Sequence, residues 1–253
     1  MARTISLVVL GDVAIDEFRL TAGALAPALA NVPYQVIFAV NGATIDPEFF
    51  SQLPFVATSV ASAVRIPLGA LLNGAVAQAQ GDVITFLPAG MQPEPYWTAG
   101  VFELLERRDV GAVAPRIVDP TGTRVVATGI VGVDGRLVLK DVGAGRDQFG
   151  PLRPAGVFCT FLHGLSIRRT VFDQIGGFDA QFETSLYDLD WTLRAHTQNL
   201  AVAYRPDVTM RYGGTIAFGP GAHAGADVVR FRDRWQSAFG PAIALEHLAG
   251  LPA

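Results

Sequence analysis

Residues 68–87 read LGALLNGAVAQAQGDVITFL, and two hydrophobic periods meet within them. Leu68 to Ala79 spaces its apolar residues along one face of an Ala- and Leu-rich helix. Gly81-Asp82 breaks that pattern, and Val83 to Leu87 is a short apolar run of the buried-strand type. The same alternation recurs upstream. Ile5 to Leu10 is a β-branched run stopped by Gly11-Asp12, Ile15 to Leu29 has helical spacing with many Ala, and Tyr34 to Val40 is a second strand ending at the turn pair Asn41-Gly42. Strands alternating with helices predict βαβ units: an α/β fold with a mostly parallel central sheet flanked by helices. Ligands of such sheets bind at the carboxyl ends of strands, which directs attention to Gly11, Asn41 and Pro88.

Downstream the alternation continues with a helix over Trp97 to Arg107 and a strand over Val110 to Ile117. Pro120 to Gly156, with its turn pairs Thr121-Gly122 and Asp134-Gly135, predicts a β-hairpin excursion and loops. Short helices are expected over Arg168 to Ile175 and Asp190 to Asn199, the second capped by Asp190 ahead of Trp191. A strand over Ala201 to Tyr204 is closed by Arg205-Pro206. Val228 to Phe239 is a basic amphipathic helix whose mixed charges suit packing on a sheet edge. No internal repeat and no dividing linker interrupt residues 1–253, so a single domain is expected.

Composition narrows the function classes. Half of the chain is hydrophobic and 17% is charged, which suits a large core and excludes disorder. A net charge of -4 gives no footprint for a nucleic-acid partner. The single cysteine, Cys159, excludes an internal disulfide framework and fits a reducing compartment. Met1 to Thr4 runs into the first strand without a signal-peptide pattern, and no apolar run reaches the roughly 18 residues of a membrane helix, so a cytoplasmic location is expected. Peripheral membrane association and a homo-oligomer stay compatible with the sequence. The spacings of His196, His223 and His247 are not those of metal ligands. Dinucleotide, Walker and nucleophile-elbow motifs are all missing.

Residues 168–194, RRTVFDQIGGFDAQFETSLYDLDWTLR, carry the most specific signal. This stretch resembles the acceptor-side signature of the family-2 glycosyltransferases, in which an RR-x-x-F segment leads to GGFD and then to an E-D-x-D motif and a helix bearing an Arg. Residues 73–87 resemble the block that precedes the family's metal motif, and Asn41 to Thr44 the turn after its second strand. Residues 122–135 resemble rhamnosyltransferase-like members. The resemblance implies a GT-A fold, with a donor-side half over 1–117 and an acceptor-side half over 118–253. It also implies hexosyl or deoxyhexosyl transfer, with inversion, from a nucleotide sugar to a saccharide acceptor in polysaccharide assembly. Asp188 takes the place of the general base, a role that suits a partly desolvated carboxylate. Asn41, Asn73, Pro88 and Gly90 are expected at the donor cleft. His163, Asp190, Trp191 and Arg211 are the remaining expected substrate contacts. Asp190 also reads as a helix cap, Trp191 as a core aromatic and His163 as a hydrogen-bonded structural histidine. Gly176-Gly177 is expected to supply a positive-φ turn.

The pattern also breaks. Where the family holds Mg²⁺ or Mn²⁺ with D-x-D, this chain has Pro88-Ala89-Gly90, none of which offers a side-chain oxygen. Val40 stands where an Asp reads the base, Tyr187 where a Glu precedes the catalytic Asp, and Arg211-Tyr212-Gly213-Gly214 where a His often follows the last strand. Two readings stay open at this point. In one, the transferase replaces the metal with arginines such as Arg211, Arg116 or Arg65 against the departing diphosphate. In the other, the domain has lost donor and metal binding and serves as a glycan- or protein-binding module.

Overall fold

A computed structural model describes residues 3–12, 15–29, 31–133, 136–148, 155–218, 223 and 225–239. The strands are β1 (Ile5–Gly11), β2 (Tyr34–Asn41), β3 (Ala57–Ser62), β4 (Val83–Pro88), β5 (Gln92–Pro93), β6 (Val110–Val118), β7 (Val125–Ala127), β8 (Ile130–Val133), β9 (Arg136–Leu139), β10 (Ala155–Val157), β11 (Ser166–Arg168) and β12 (Ala201–Arg211). The helices are α1 (Ile15–Ala28), α2 (Pro47–Ser51), α3 (Leu68–Gln78), α4 (Trp97–Glu106), α5 (Arg169–Ile175), α6 (Tyr187–Thr197) and α7 (Gly225–Phe239).

A 10-stranded sheet runs in the order β10-β12-β6-β11-β4-β1-β2-β3, with β5 added to β12 and β7 to β6. β1 pairs in parallel with β2 on one side and β4 on the other, Ile5 lying opposite both Tyr34 and Val83. The three-residue β11 is wedged antiparallel between β4 and β6, and β12 continues parallel to β6. The sheet is therefore mixed: β1, β2, β3, β4, β6 and β12 run one way, and β5, β7, β10 and β11 pair antiparallel to them. Its central strands are buried on both faces, which is why Ile5 to Leu10 and Val110 to Ile117 read as apolar runs broken only by Ser6 and Arg116, themselves buried. One hydrophobic cluster extends from Ile5 to Trp235, each fully buried large side chain contributing about 1.5–3 kcal/mol.

Several boundaries differ from the sequence reading. β12 continues through Pro206 to Arg211, because the register shift between Tyr204 and Thr209 accommodates a residue without an N–H. α6 begins three residues earlier than Asp190 suggested, after Leu186 in a left-handed conformation (φ 64°). Residues 120–148 give β7 against β6 and the β8–β9 hairpin, whose turn residues Asp134-Gly135 lie outside the described ones. α5 ends at Gly176 (φ 91°), and Gly177 (φ 73°) follows in the same region, the backbone role expected of that pair.

Candidate active site

The chain order of the sheet reverses at β1, which has β2 on one side and β4 on the other. Open α/β sheets hold ligands at such a switch point, outside the carboxyl ends of the strands. A cleft of about 410 Å³ opens there. Leu10 at the end of β1 and Pro88 at the end of β4 line its floor. Residues 161–163 and 184–189 form one wall and residues 215–218 with His223 the other.

Asp188 lies in the first turn of α6 and is the one carboxyl among the described lining residues. It is 8% exposed. Leu162 N–H donates to its Oδ2 at 2.7 Å and Leu189 N–H to its Oδ1 at 2.9 Å. Burial pushes its carboxyl up to about 6, against the opposing pull of those N–H groups. A carboxylate has lone pairs beyond the two used here, so it can still accept a proton from a bound hydroxyl.

The loop before Asp188 is fixed from outside. Asp227, near the start of α7 and 1% exposed, accepts N–H bonds from Glu183, Thr184 and Ser185 at 2.8, 3.0 and 3.0 Å. The hydroxyls of Thr184 and Ser185 donate to the same carboxylate. A single side chain thus satisfies the turn that presents Asp188.

His163 also lines the cleft. Its ring meets Phe161 and Tyr212 edge-on at 5.5 and 5.3 Å. Its Nδ1 is buried without a hydrogen-bond partner among the described residues. Burial drives its pKa down to about 4, which keeps the imidazole neutral at ordinary pH and unsuited to carrying a proton there. His223 was not legible as a site residue from the sequence. Chain folding after β12 brings it to the cleft, where both ring nitrogens are buried without partners among the described residues and burial lowers its pKa.

Other expected contacts lie elsewhere. Asp190 is fully buried and accepts from Arg194 Nε (2.8 Å), Arg234 Nη1 (2.7 Å) and Trp235 Nε1 (3.1 Å). It neither caps α6 nor reaches the cleft; it ties α7 to α6. Trp191 is fully buried and stacks on Phe172 at 6.1 Å, a core position. Asn41 spends both ends of its amide on Ile66, donating to its carbonyl at 2.9 Å and accepting its N–H at 3.0 Å. Asn73 clasps Phe178 in the same way at 2.8 and 2.9 Å. Both amides brace loops around the cleft and line none of it. Gly90 (φ 87°) stands behind Pro88, its N–H shared between Glu17 O and Thr21 Oγ1.

The three candidate arginines separate. Arg65 reaches Asp12 at 3.4 Å across the carboxyl ends of β1 and β2, beside the switch point. Arg211 pairs instead with Glu94 beside Arg146, in a second cavity that shares no lining residue with the cleft, and Arg116 donates to the Arg146 carbonyl behind them. At the D-x-D position Ala89 is buried, and among the described residues no three His, Cys, Asp or Glu side chains come together to hold a metal ion. The residues present do not fit a D-x-D-bound cation.

Comparisons place this architecture. No protein-family model matches the sequence. The chain is similar to the O-antigen biosynthesis protein RfbC of Myxococcus xanthus, 32% identical over 142 residues, which are 53% of this chain and 11% of that protein. It thus spans about a ninth of that relative's length. Its backbone is similar to GalNAc-T7 solved with UDP, GalNAc and Mn²⁺ (TM-score 0.70, 12% identity, 94% of this chain and 49% of that one). It is also similar to the mannosyltransferase PcManGT of Pyrobaculum calidifontis with GDP-Man and Mn²⁺ (TM-score 0.64, 14% identity, 99% and 71%) and to S. aureus TarS 1–349 (0.58, 13%, 83% and 60%). The fold is that of the GT-A glycosyltransferases.

Proposed function

We propose that the chain transfers a hexosyl or deoxyhexosyl unit from a nucleotide sugar to a saccharide hydroxyl, with inversion at the anomeric carbon and Asp188 as general base. The observation that carries this reading is a buried carboxyl, raised to about 6, in the cleft at the switch point of the sheet. As the acceptor oxygen bonds to the anomeric carbon, its proton passes to Asp188. The bond from that carbon to the phosphate oxygen breaks, and the nucleoside diphosphate leaves with the electron pair. General-base catalysis of this kind contributes about 10²–10⁴-fold.

The neutral His163 holds an acceptor hydroxyl by a hydrogen bond without competing for the proton. Pro88 and Gly90 bring backbone close to the donor, and Asn41 and Asn73 keep the flanking loops in place. Arg65 supplies positive charge for the departing diphosphate, where other members of the fold use a metal. The likeness to RfbC supports an acceptor in surface-polysaccharide assembly.

A second reading, a glycan- or protein-binding module without turnover, is favoured by the lack of any carboxylate at residues 88–90. Titration of the chain with UDP, GDP and dTDP, with and without Mn²⁺, separates the two. Nucleotide binding indifferent to Mn²⁺, together with an Asp188→Asn variant that binds but does not turn over, supports the transferase. Silence toward all three nucleotides would leave the binding module.

A further inference from the structure

The second cavity, about 370 Å³, is walled by the last turns of α1, residues 92–95, and the side chains of Arg146 and Arg211. Glu94 at its centre accepts from both terminal nitrogens of Arg146 at 2.9 and 2.6 Å. It takes only Nε of Arg211, at 2.9 Å. The two terminal nitrogens of Arg211 make no hydrogen bond among the described residues, and the side chain is 43% exposed. One face of this guanidinium fork is therefore available to a ligand.

A glycine lies against that fork. Gly122 adopts φ 75°, and a methyl group there would sit 3.3 Å from both Cζ and Nη2 of Arg211 and 3.4 Å from Nη1 of Arg146. Behind the pair lies Arg116, 7% exposed, which donates to Thr209 Oγ1 and the Arg146 carbonyl and has no carboxylate within ion-pair distance among the described residues. Glu94 and the exposed Asp147 are the carboxylates acting on Arg116 and Arg146 among the described residues. Three guanidiniums face two carboxylates, leaving surplus positive charge in a partly desolvated place. An anion there gains charge-assisted, fork-shaped hydrogen bonds.

The remaining walls are mostly apolar, Ala24, Pro27, Ala28, Pro93 and Pro95, with Gln92 the one further polar side chain among the described lining residues. Such surfaces suit the C–H face of a sugar ring, and the volume falls in the usual range for small-molecule sites. The cavity shares no lining residue with the cleft, and one chain step connects the two. Arg211 is followed directly by Tyr212, whose ring touches His163.

We propose that this cavity binds an anionic group carried on a sugar, a carboxylate or a phosphate ester, as a subsite for an acidic unit of the acceptor chain. Only the assignment to the acceptor rests on the transferase reading; the anion site itself does not. The test is calorimetric titration of the chain with methyl glucuronide, glucose 1-phosphate and the neutral methyl glucoside. One or both charged sugars should bind at least about tenfold more tightly than the neutral one, and Arg211→Gln should remove that preference. Preference for the glucuronide assigns a uronate, and preference for the phosphate a sugar phosphate. Asp188→Asn should keep the parent's preference for the charged sugars over the neutral one, which separates this site from the catalytic reading. Arg211→Lys, which keeps the charge but loses the fork, provides a second variant with the same expected direction. Equal affinity for charged and neutral sugars, no binding of any of them, or unchanged preference in both Arg211 variants would overturn the site. Displacement of the bound sugar by UDP would give the cavity to the donor diphosphate and overturn the acceptor assignment.

Discussion

The backbone N–H of Leu162 and the carboxylate of Asp188 meet at 2.7 Å, joining the loop before β11 to the first turn of α6. This bond holds a carboxyl group where water is scarce, and the resulting basicity governs how the site responds to pH.

With its carboxyl raised to about 6, Asp188 is mostly ionised at pH 7, and the proposed general base is lost as pH falls. The turnover number should therefore decline by about tenfold per pH unit below about 6. A pH–rate profile on a nucleotide-sugar donor measures this. A flat profile down to pH 4.5 would remove Asp188 from the proton transfer.

The same shift has a stability consequence of definite sign. Between the ordinary carboxyl value of 3.8 and about 6, the folded state binds more protons at Asp188 than the unfolded state does. Stability from this group is therefore present at low pH and lost as pH rises through that window. Relative to Asp188→Asn, the parent chain should lose up to roughly 3 kcal/mol between pH 4 and pH 6.5. Urea unfolding of both proteins at the two pH values gives the double difference, and a constant difference would contradict the raised value.

Asp227→Ala removes the acceptor of three backbone N–H groups at once. Because these donors are partly buried, a loss of about 2–4 kcal/mol is expected. Turnover should fall as well, since the turn that carries Asp188 loses its brace. Thermal unfolding read beside kcat would show both losses, and a variant of parental stability would refute the bracing role.

Gly177→Ala meets two obstacles. The backbone there has φ 73°, and the new methyl would lie 2.8 Å from Asn73 Oδ1, which holds Phe178. A destabilisation of at least about 1–2 kcal/mol follows from the conformation alone. Gly176→Ala, with open space around it, should cost less. Equal costs at the two positions would mean that the Asn73 clasp adds nothing.

The parts of the fold legible in the sequence are those where periodicity and burial coincide. β1, β2, β4 and α3 follow the apolar runs because both sheet faces are covered there. β3 escaped notice because Ala57–Ser62 is a partly exposed edge strand of small and polar residues, without an apolar run. At the site, the resemblance carried by residues 168–194 pointed to Asp188, which lines the cleft. Asp190 could not, because its partners Arg234 and Trp235 are distant in sequence and turn an apparent cap into a buried ion pair. Asn41 and Asn73 resemble ligand amides locally, yet each faces the backbone of a segment that the sequence does not bring into view. The company of Arg146 and Arg211 is likewise a tertiary fact, since Glu94 joins segments from three parts of the chain.

The three-residue β11 closes the gap between β4 and β6. During synthesis the N-terminal strands can assemble as β3-β2-β1-β4 as soon as Pro88 has emerged, but the outer edge of β4 then has no partner until residues 166–168 follow. Over that interval the nascent chain exposes the N–H and C=O groups of a flat, apolar strand, the kind of edge that recruits foreign chains. A ribosome pause or a truncation between residues 89 and 165 would therefore yield an aggregation-prone fragment in place of a smaller working domain.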